Sequence, residues 1–298
     1  MGDKIHDLAI VGCGPAGLSA AINAKIRNTD MLLFGTEFCS PKLYKAENVD
    51  NYLGFHNVTG EELRDKYLEH VKSMGINIKN SRVDNIYPME EHYTLMTKDG
   101  TYNAYSVILA PGVSFTKFIE GEEELIGGGV SYCATCDGAL YRGKHVAVIA
   151  YNSEGIEDAE FLSDIAERVY FIPQFDFEEN LDFPNIEIVK EKPLAIKGEN
   201  IVDSIQLEKR ELKVDGVFIY REITPPDRLI FGIEIEGRHI KVNNDMETNL
   251  EGVYAAGDCT GTPYQLARAV GQGQVASLNA VSYVRKKKKG SNKNGENN

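Results

Sequence analysis

Cys133-Ala134-Thr135-Cys136-Asp137 is the stretch of this chain whose residue types and spacing most directly imply chemistry. Two cysteines three residues apart, opening a predicted helix, can close a small and reducible disulfide. A helix N-terminus favours the thiolate, which is the reactive form of the sulfur. The adjoining carboxyl group of Asp137 can hold or supply the proton that thiol exchange requires. The alternatives are a zinc half-site or two buried thiols. A structural zinc site takes four ligands, and five cysteines with six histidines supply no second cysteine pair of that spacing. The motif therefore reads as a redox dithiol, and no residue is assigned to a metal.

Two nucleotide-type patterns flank this motif. His6 to Val11 reads as a buried parallel strand, running into Gly12-Cys13-Gly14-Pro15-Ala16-Gly17 and then the helix-forming run Leu18 to Lys25. Gly12 permits the tight turn, Gly14 lets backbone approach a pyrophosphate, and Gly17 lets helix pack on strand. The helix N-terminus then faces the phosphates. A second strand, Met31 to Phe34, ends near Glu37, 20 residues past Gly17, where an acid is expected to bind the adenosine ribose. Cys13 within this loop reads as a small buried filler, and Cys39 and Cys259 have no evident partner. Far downstream, Gly252 to Asp258 forms a short strand ending in an acid, followed by Tyr264-Gln265-Leu266-Ala267 and a small-residue helix, Arg268 to Ala280. A first domain built from both ends of the chain follows from this placement.

The 298 residues suffice for two domains. Their 42% hydrophobic content supports real cores, and no apolar run reaches the roughly 18 to 20 residues of a spanning helix. An odd number of cysteines does not suit a secreted disulfide framework, so the cytoplasm is the expected location. The net charge of −13 is uneven, with −12 in residues 116–244 and +5 in residues 285–298. An acidic body argues against a nucleic-acid face. The basic end reads as a disordered, solvated tail, with a sharper alternative as an electrostatic handle for an acidic protein.

With the dithiol set between these halves, the chain resembles the low-molecular-weight thioredoxin reductases over roughly residues 5–284. Cys133 to Gly138, the opening glycine loop, Val49-Asp50-Asn51-Tyr52 and Ala255-Ala256-Gly257-Asp258 carry the resemblance. It implies an α/β chain of two Rossmann-like, three-layer domains. FAD would lie in a discontinuous domain (1–115 with 245–298), and an inserted NADPH-type domain (116–244) would carry the dithiol. Gly12, Gly14, Pro15, Ala16, Gly17, Glu37, Lys42, Leu43, Asn51, Val83, Asp258, Gln265, Leu266 and Ala267 would bind the flavin nucleotide. Cys136 would face the flavin, Cys133 would exchange with thioredoxin, and Asp137 would act as general acid. A homodimer through the FAD domain is also implied, with movement of one domain on the other near Pro111-Gly112 and Gly127-Gly128-Gly129.

The departures are as informative. After the strand Val146 to Ile149 the family carries a second glycine fingerprint, but this chain has Ala150-Tyr151-Asn152-Ser153-Glu154-Gly155. Asn152 stands where a pyrophosphate should approach bare backbone, and Glu154 adds like charge there. One strand later, Pro173-Gln174-Phe175 replaces the cationic cluster that grips the 2′-phosphate of NADPH. Glu222 replaces a glycine. NADPH is therefore not expected, and the chain is most similar to ferredoxin-dependent flavin thioredoxin reductases, in which reduced ferredoxin supplies the electrons. It has no cluster-binding cysteine set of its own. Competing readings are an ordinary NADPH-dependent thioredoxin reductase, a flavin-bound redox sensor, and a thiol oxidase.

Overall fold

A computed structural model describes residues 4–35, 39–113, 118–177, 181–221 and 225–295. The chain divides into two compact units, Met1–Val113 with Pro225–Asn298, and Ser114–Thr224. Strands and helices in chain order begin with β1 (Ile5–Val11), α1 (Pro15–Ile26), β2 (Met31–Gly35), α2 (Pro41–Tyr44) and α3 (Gly60–Ser73). Strands β3 (Ile78–Asn80), β4 (Val83–Pro88), β5 (Tyr93–Thr97) and β6 (Gly100–Leu109) complete the N-terminal part of the first unit. The second unit opens with β7 (Val130–Ser131), α4 (Ala134–Asp137), β8 (His145–Ala150), α5 (Glu154–Ser163), β9 (Arg168–Pro173) and β10 (Ile186–Ile188). It closes with β11 (Pro193–Lys197), β12 (Ser204–Leu207), β13 (Glu211–Lys213) and β14 (Gly216–Tyr220). The first unit resumes with α6 (Pro226–Leu229), β15 (Ile235–Glu236), β16 (His239–Ile240), β17 (Val253–Ala255) and α7 (Leu266–Gly295).

The first unit's sheet runs β3-β2-β1-β6-β5-β4, with β17 pairing parallel to the C-terminal half of β6. Strand β1 is apolar on both faces because both are covered. Leu8 and Ile10 enter the core under α1 and α7, while Ala9 and Val11 enter the opposite core with Leu95, Val107 and Ile230. Small residues let the two covering helices approach closely. A Cβ on Gly273 would lie 2.1 Å from the Ala16 carbonyl oxygen, and Ser277 Oγ donates to the Ala20 carbonyl at 2.8 Å. The second unit repeats the plan with an all-parallel sheet, β10-β9-β8-β14-β7, and an antiparallel three-stranded sheet, β11-β12-β13. Along β8, Val146, Val148 and Ala150 face one core and Ala147 and Ile149 the other.

Three expectations are corrected. The return to the first unit falls at Pro225, not at residue 245. Leu229, Ile230, Ile233 and Ile240 are apolar anchors that bury in the first unit's core and carry α6 and the β15–β16 hairpin with them. The basic end is not a disordered tail as far as Gly295, because α7 continues through it. Lysine is a good helix former, and two of the lysines are paired here: Lys287 Nζ lies 3.8 Å from Glu91 and Lys288 pairs with Asp7, while Arg285 donates to the Arg27 carbonyl at 3.0 Å. Gly127 to Gly129, expected near the point of movement between domains, lie inside the second unit and not at its boundary. A Cβ on Gly128 would strike the Asn200 carbonyl oxygen at 2.2 Å, and one on Gly129 would strike Val202 at 2.8 Å, so close packing inside the second unit explains these two, while Gly127 is set by its turn at φ +75°.

Candidate active site

The dithiol sits where β7 runs into α4. Cys133 is the N-cap of that single helical turn, and its Sγ accepts from the Cys136 amide at 3.1 Å. The two sulfurs form a disulfide (S–S 2.08 Å) with Cα atoms 5.3 Å apart, as the spacing predicts. Cys133 is buried and Cys136 half-buried. The Asp137 carboxylate accepts a hydrogen bond from Ser131 Oγ at 2.6 Å, and the same hydroxyl oxygen accepts from the Cys133 amide at 3.1 Å. Ser131, on β7, thus ties the acid to the first cysteine. Tyr220, at the end of β14, offers its hydroxyl oxygen to the Ala134 amide at 3.0 Å, satisfying a donor that a turn this short leaves free. Burial, reinforced by the nearby Asp137 charge, pushes the Tyr141 phenol up and keeps it neutral.

The first unit assembles most of the predicted nucleotide residues. Gly12 adopts φ +112°, and a Cβ there would lie 2.2 Å from the Ala110 carbonyl oxygen; one on Gly17 would lie 1.8 Å from that of Gly12. Both are fixed by turn and packing. Gly14 differs, because its Cβ would meet only Ser40 Oγ, at 3.7 Å. It caps α1 without any side-chain hydrogen bond, Pro15 and Ala16 begin the helix, and the neighbouring Ser40 Oγ is buried with no hydrogen-bond partner. An open cradle, a helix N-terminus and an orphaned hydroxyl suit a phosphate group.

Segments remote in sequence meet beside this cradle. Asn51 Nδ2 donates to Gln265 Oε1 at 2.9 Å, across 214 positions of chain. Lys42 Nζ lies 3.6 Å from Asp258 Oδ2 and 5.6 Å from the centre of the Tyr264 ring. Leu43 and Leu266 pack in one apolar cluster with Val49, Val58 and Leu63, and Ala267 is exposed on the first turn of α7. Val83 begins β4 and its side chain belongs to the core. Glu37 and Glu222 lie outside the described residues. Sequence reasoning missed Ser40, whose type and position after Cys39 were the available signal. It also missed Gln272, which accepts from the Gly257 amide at 3.0 Å, and Arg268, which holds the Gly261 carbonyl at 2.5 Å.

Cys13 and Cys39 are a correction. They form a second disulfide, S–S 2.01 Å with Cα atoms 5.2 Å apart, joining the glycine loop to the segment after β2. The two lie 26 residues apart in sequence, and adjacent parallel strands bring them together. Cys259 is the free cysteine among the described residues. Its burial pushes the thiol up to about 12, and its Sγ donates to the Ala256 carbonyl at 3.3 Å.

In the second unit, the loop after β8 is tied to the end of β14. Asn152 Nδ2 donates to the Arg221 carbonyl at 3.3 Å. The Arg221 guanidinium lies 5.2 Å from the Tyr151 ring centre and forms a fork with Glu122, both bonds 2.6 Å, with the pair 3% and 0% exposed. Burial opposes the Arg221 charge, but the Glu122 carboxylate more than offsets it and raises the guanidinium's pKa overall. Gln174 is committed to the Pro173 and Glu191 carbonyls at 3.0 Å each. It borders an open cavity of ≈ 550 Å³ in which Lys190 and Lys192 stand against Asp176 and Glu191. Among the described residues no group of three or more His, Cys, Asp or Glu could hold a metal ion, and no helix is long and apolar enough to cross a membrane.

Residues 6–273 match the model of the pyridine nucleotide-disulphide oxidoreductases. The chain belongs to that family. Within it, the chain is 32% identical to the thioredoxin reductase of Bacillus subtilis, over 95% of this chain and 96% of the other. A crystal structure of a ferredoxin-flavin thioredoxin reductase from Clostridium acetobutylicum matches with a TM-score of 0.91 at 48% identity, covering 94% of this chain and 98% of that one. A thioredoxin reductase from Gloeobacter violaceus matches with a TM-score of 0.78 at 28% identity, covering 95% of each chain. Family membership accounts for a dinucleotide cradle in the first unit and, separately, for a redox disulfide in the second.

Proposed function

We propose that this oxidoreductase reduces the disulfide of thioredoxin, using FAD held by the first unit and electrons delivered by reduced ferredoxin. The observation that carries the reading is the Cys133–Cys136 disulfide capping α4 beside Asp137, in a chain 48% identical to a ferredoxin-flavin thioredoxin reductase. Gly14, Ser40 and the α1 N-terminus would hold the pyrophosphate of FAD, and Asn51, Lys42, Asp258 and Gln265 would hold its ring end. FAD can take electrons singly and pass them on in pairs, which is what a one-electron donor and a two-electron disulfide require. Iron–sulfur donors near about −400 mV lie below thioredoxin at about −270 mV, so the transfer runs downhill.

The protein's own part is thiol exchange. Once Cys133 and Cys136 are reduced, the Cys133 thiolate attacks the thioredoxin disulfide, giving a mixed disulfide and a thioredoxin thiolate. Asp137, held by Ser131, supplies the proton to that leaving sulfur. Cys136 then displaces the second thioredoxin sulfur and restores the intramolecular bridge. Two electrons leave the pair and two arrive on thioredoxin. Exclusion of NADPH is supported by Asn152, by the buried Arg221–Glu122 pair against the degenerate loop, and by the balanced charge near Gln174. Anaerobic assays of thioredoxin thiols test the reading. Thiols should accumulate with reduced ferredoxin and enzyme together; accumulation with NADPH at a comparable rate would return the chain to the ordinary reductases.

A further inference from the structure

We infer that Cys13–Cys39 is a second redox-responsive disulfide, which sets how tightly the first unit holds the pyrophosphate end of FAD and answers to reduced thioredoxin. The inference rests on the reading of that cradle as an FAD site. Each half of the bridge is a sequence neighbour of a cradle group. Cys13 lies between Gly12 and Gly14, and Cys39 precedes Ser40, whose orphaned hydroxyl stands beside Gly14. The bridge therefore fixes Ser40 against the glycine loop. The packing around Cys13 is close. A Cβ on Gly35, at the end of β2, would lie 2.2 Å from Cys13 Sγ, so a glycine is needed there for the half-cystine to fit.

Both half-cystines are buried, so exchange needs a local opening and runs more slowly than at the half-exposed Cys136. The reductant is the product of the proposed reaction. One thioredoxin thiolate attacks a bridge sulfur, forming a mixed disulfide and freeing the other cysteine as a thiolate. The second thioredoxin thiol then displaces the first cysteine. The bridge gains two electrons and two protons to become two thiols, and thioredoxin returns to its disulfide. Without the bridge, Ser40 keeps its place at the start of α2 but loses its tie to the glycine loop, so its position against Gly14 must be fixed each time the nucleotide binds. Re-ordering one residue corresponds to about tenfold weaker retention. A rising level of reduced thioredoxin thus loosens the cofactor of the enzyme that produces it.

The test uses the full-length holoprotein, incubated anaerobically with reduced thioredoxin or, as a second reductant, dithiothreitol. Samples are alkylated and peptide-mapped at all five cysteines, and free FAD is measured by fluorescence after ultrafiltration. The expected result is alkylation at Cys13 and Cys39 lagging that at Cys133 and Cys136, with FAD release rising about tenfold in step with the slower pair. A Cys13→Ser, Cys39→Ser protein should release FAD at the faster rate under all conditions. Because the wild-type arm needs no variant to fold, it stands alone. The inference is overturned if the bridge resists both reductants, or if it opens without change in FAD release. Oxidised protein that purifies with no bound flavin would instead overturn the FAD reading beneath it.

Discussion

Replacing Glu122 by Ala should be among the most damaging single substitutions in the second unit. Glu122 is fully buried and accepts four hydrogen bonds: two from Arg221 at 2.6 Å each, one from the Tyr132 hydroxyl at 2.7 Å and one from the Ile119 amide at 2.8 Å. Removing it strands a buried guanidinium, and breaking such a pair costs about 3–5 kcal/mol. For a unit of this size about 4 kcal/mol corresponds to roughly 15 °C in melting temperature. The assay is scanning calorimetry of the full chain, following the second unit's transition. Replacing both partners by apolar residues (Glu122→Met with Arg221→Leu) removes the stranded charge, and should recover most of the loss. A Glu122→Ala protein that melts within about 3 °C of wild type, or a double variant in which the two losses simply add, would refute the claim that this pair is a desolvated unit.

Other substitutions separate the roles within the site. Gly14→Ala should fold normally, since its methyl meets only Ser40 Oγ, yet retain FAD about tenfold less well in equilibrium dialysis. Gly17→Ala should instead lower soluble yield, because its methyl would overlap the Gly12 carbonyl. Cys133→Ser should keep flavin reduction in stopped-flow absorbance but lose thioredoxin turnover; full turnover would reverse the assignment of the two sulfurs. Ser131→Ala should slow turnover by about tenfold without displacing flavin, as the acid loses its tether. Cys259 should resist iodoacetamide in the folded protein near neutral pH. Its folded pKa is raised from 9.0 to about 12, so the stability it contributes is complete below pH 9 and is lost as pH rises toward 12.

Much of this site was legible in the sequence because its chemistry is local. The Cys133–Cys136 spacing fixes a bridge within one turn, and the glycine loop carries its own steric logic in six residues. That Asn51 and Gln265 belong to one site was reachable only through resemblance, since nothing nearby in sequence connects positions 214 apart, and their direct hydrogen bond was not foreseen. Cys13–Cys39 escaped because the two cysteines lie in the loops that follow neighbouring parallel strands, and which strands are neighbours is not revealed by composition. The unit boundary was misplaced for a similar reason: Leu229 and Ile230 look like generic apolar residues until β4 and β6 are seen to bury them. In the basic tail, charge density suggested solvation, whereas Glu91 and Asp7 on the first unit's surface receive two of its lysines.

The most direct measurement of the central claim is anaerobic flavin absorbance of the oxidised protein, mixed in turn with reduced ferredoxin, NADPH and NADH. The account predicts bleaching with reduced ferredoxin alone, followed by recovery when oxidised thioredoxin is added. Rapid bleaching with NADPH would contradict it, because a nicotinamide would then reach the flavin despite Asn152, Gln174 and the buried Arg221–Glu122 pair.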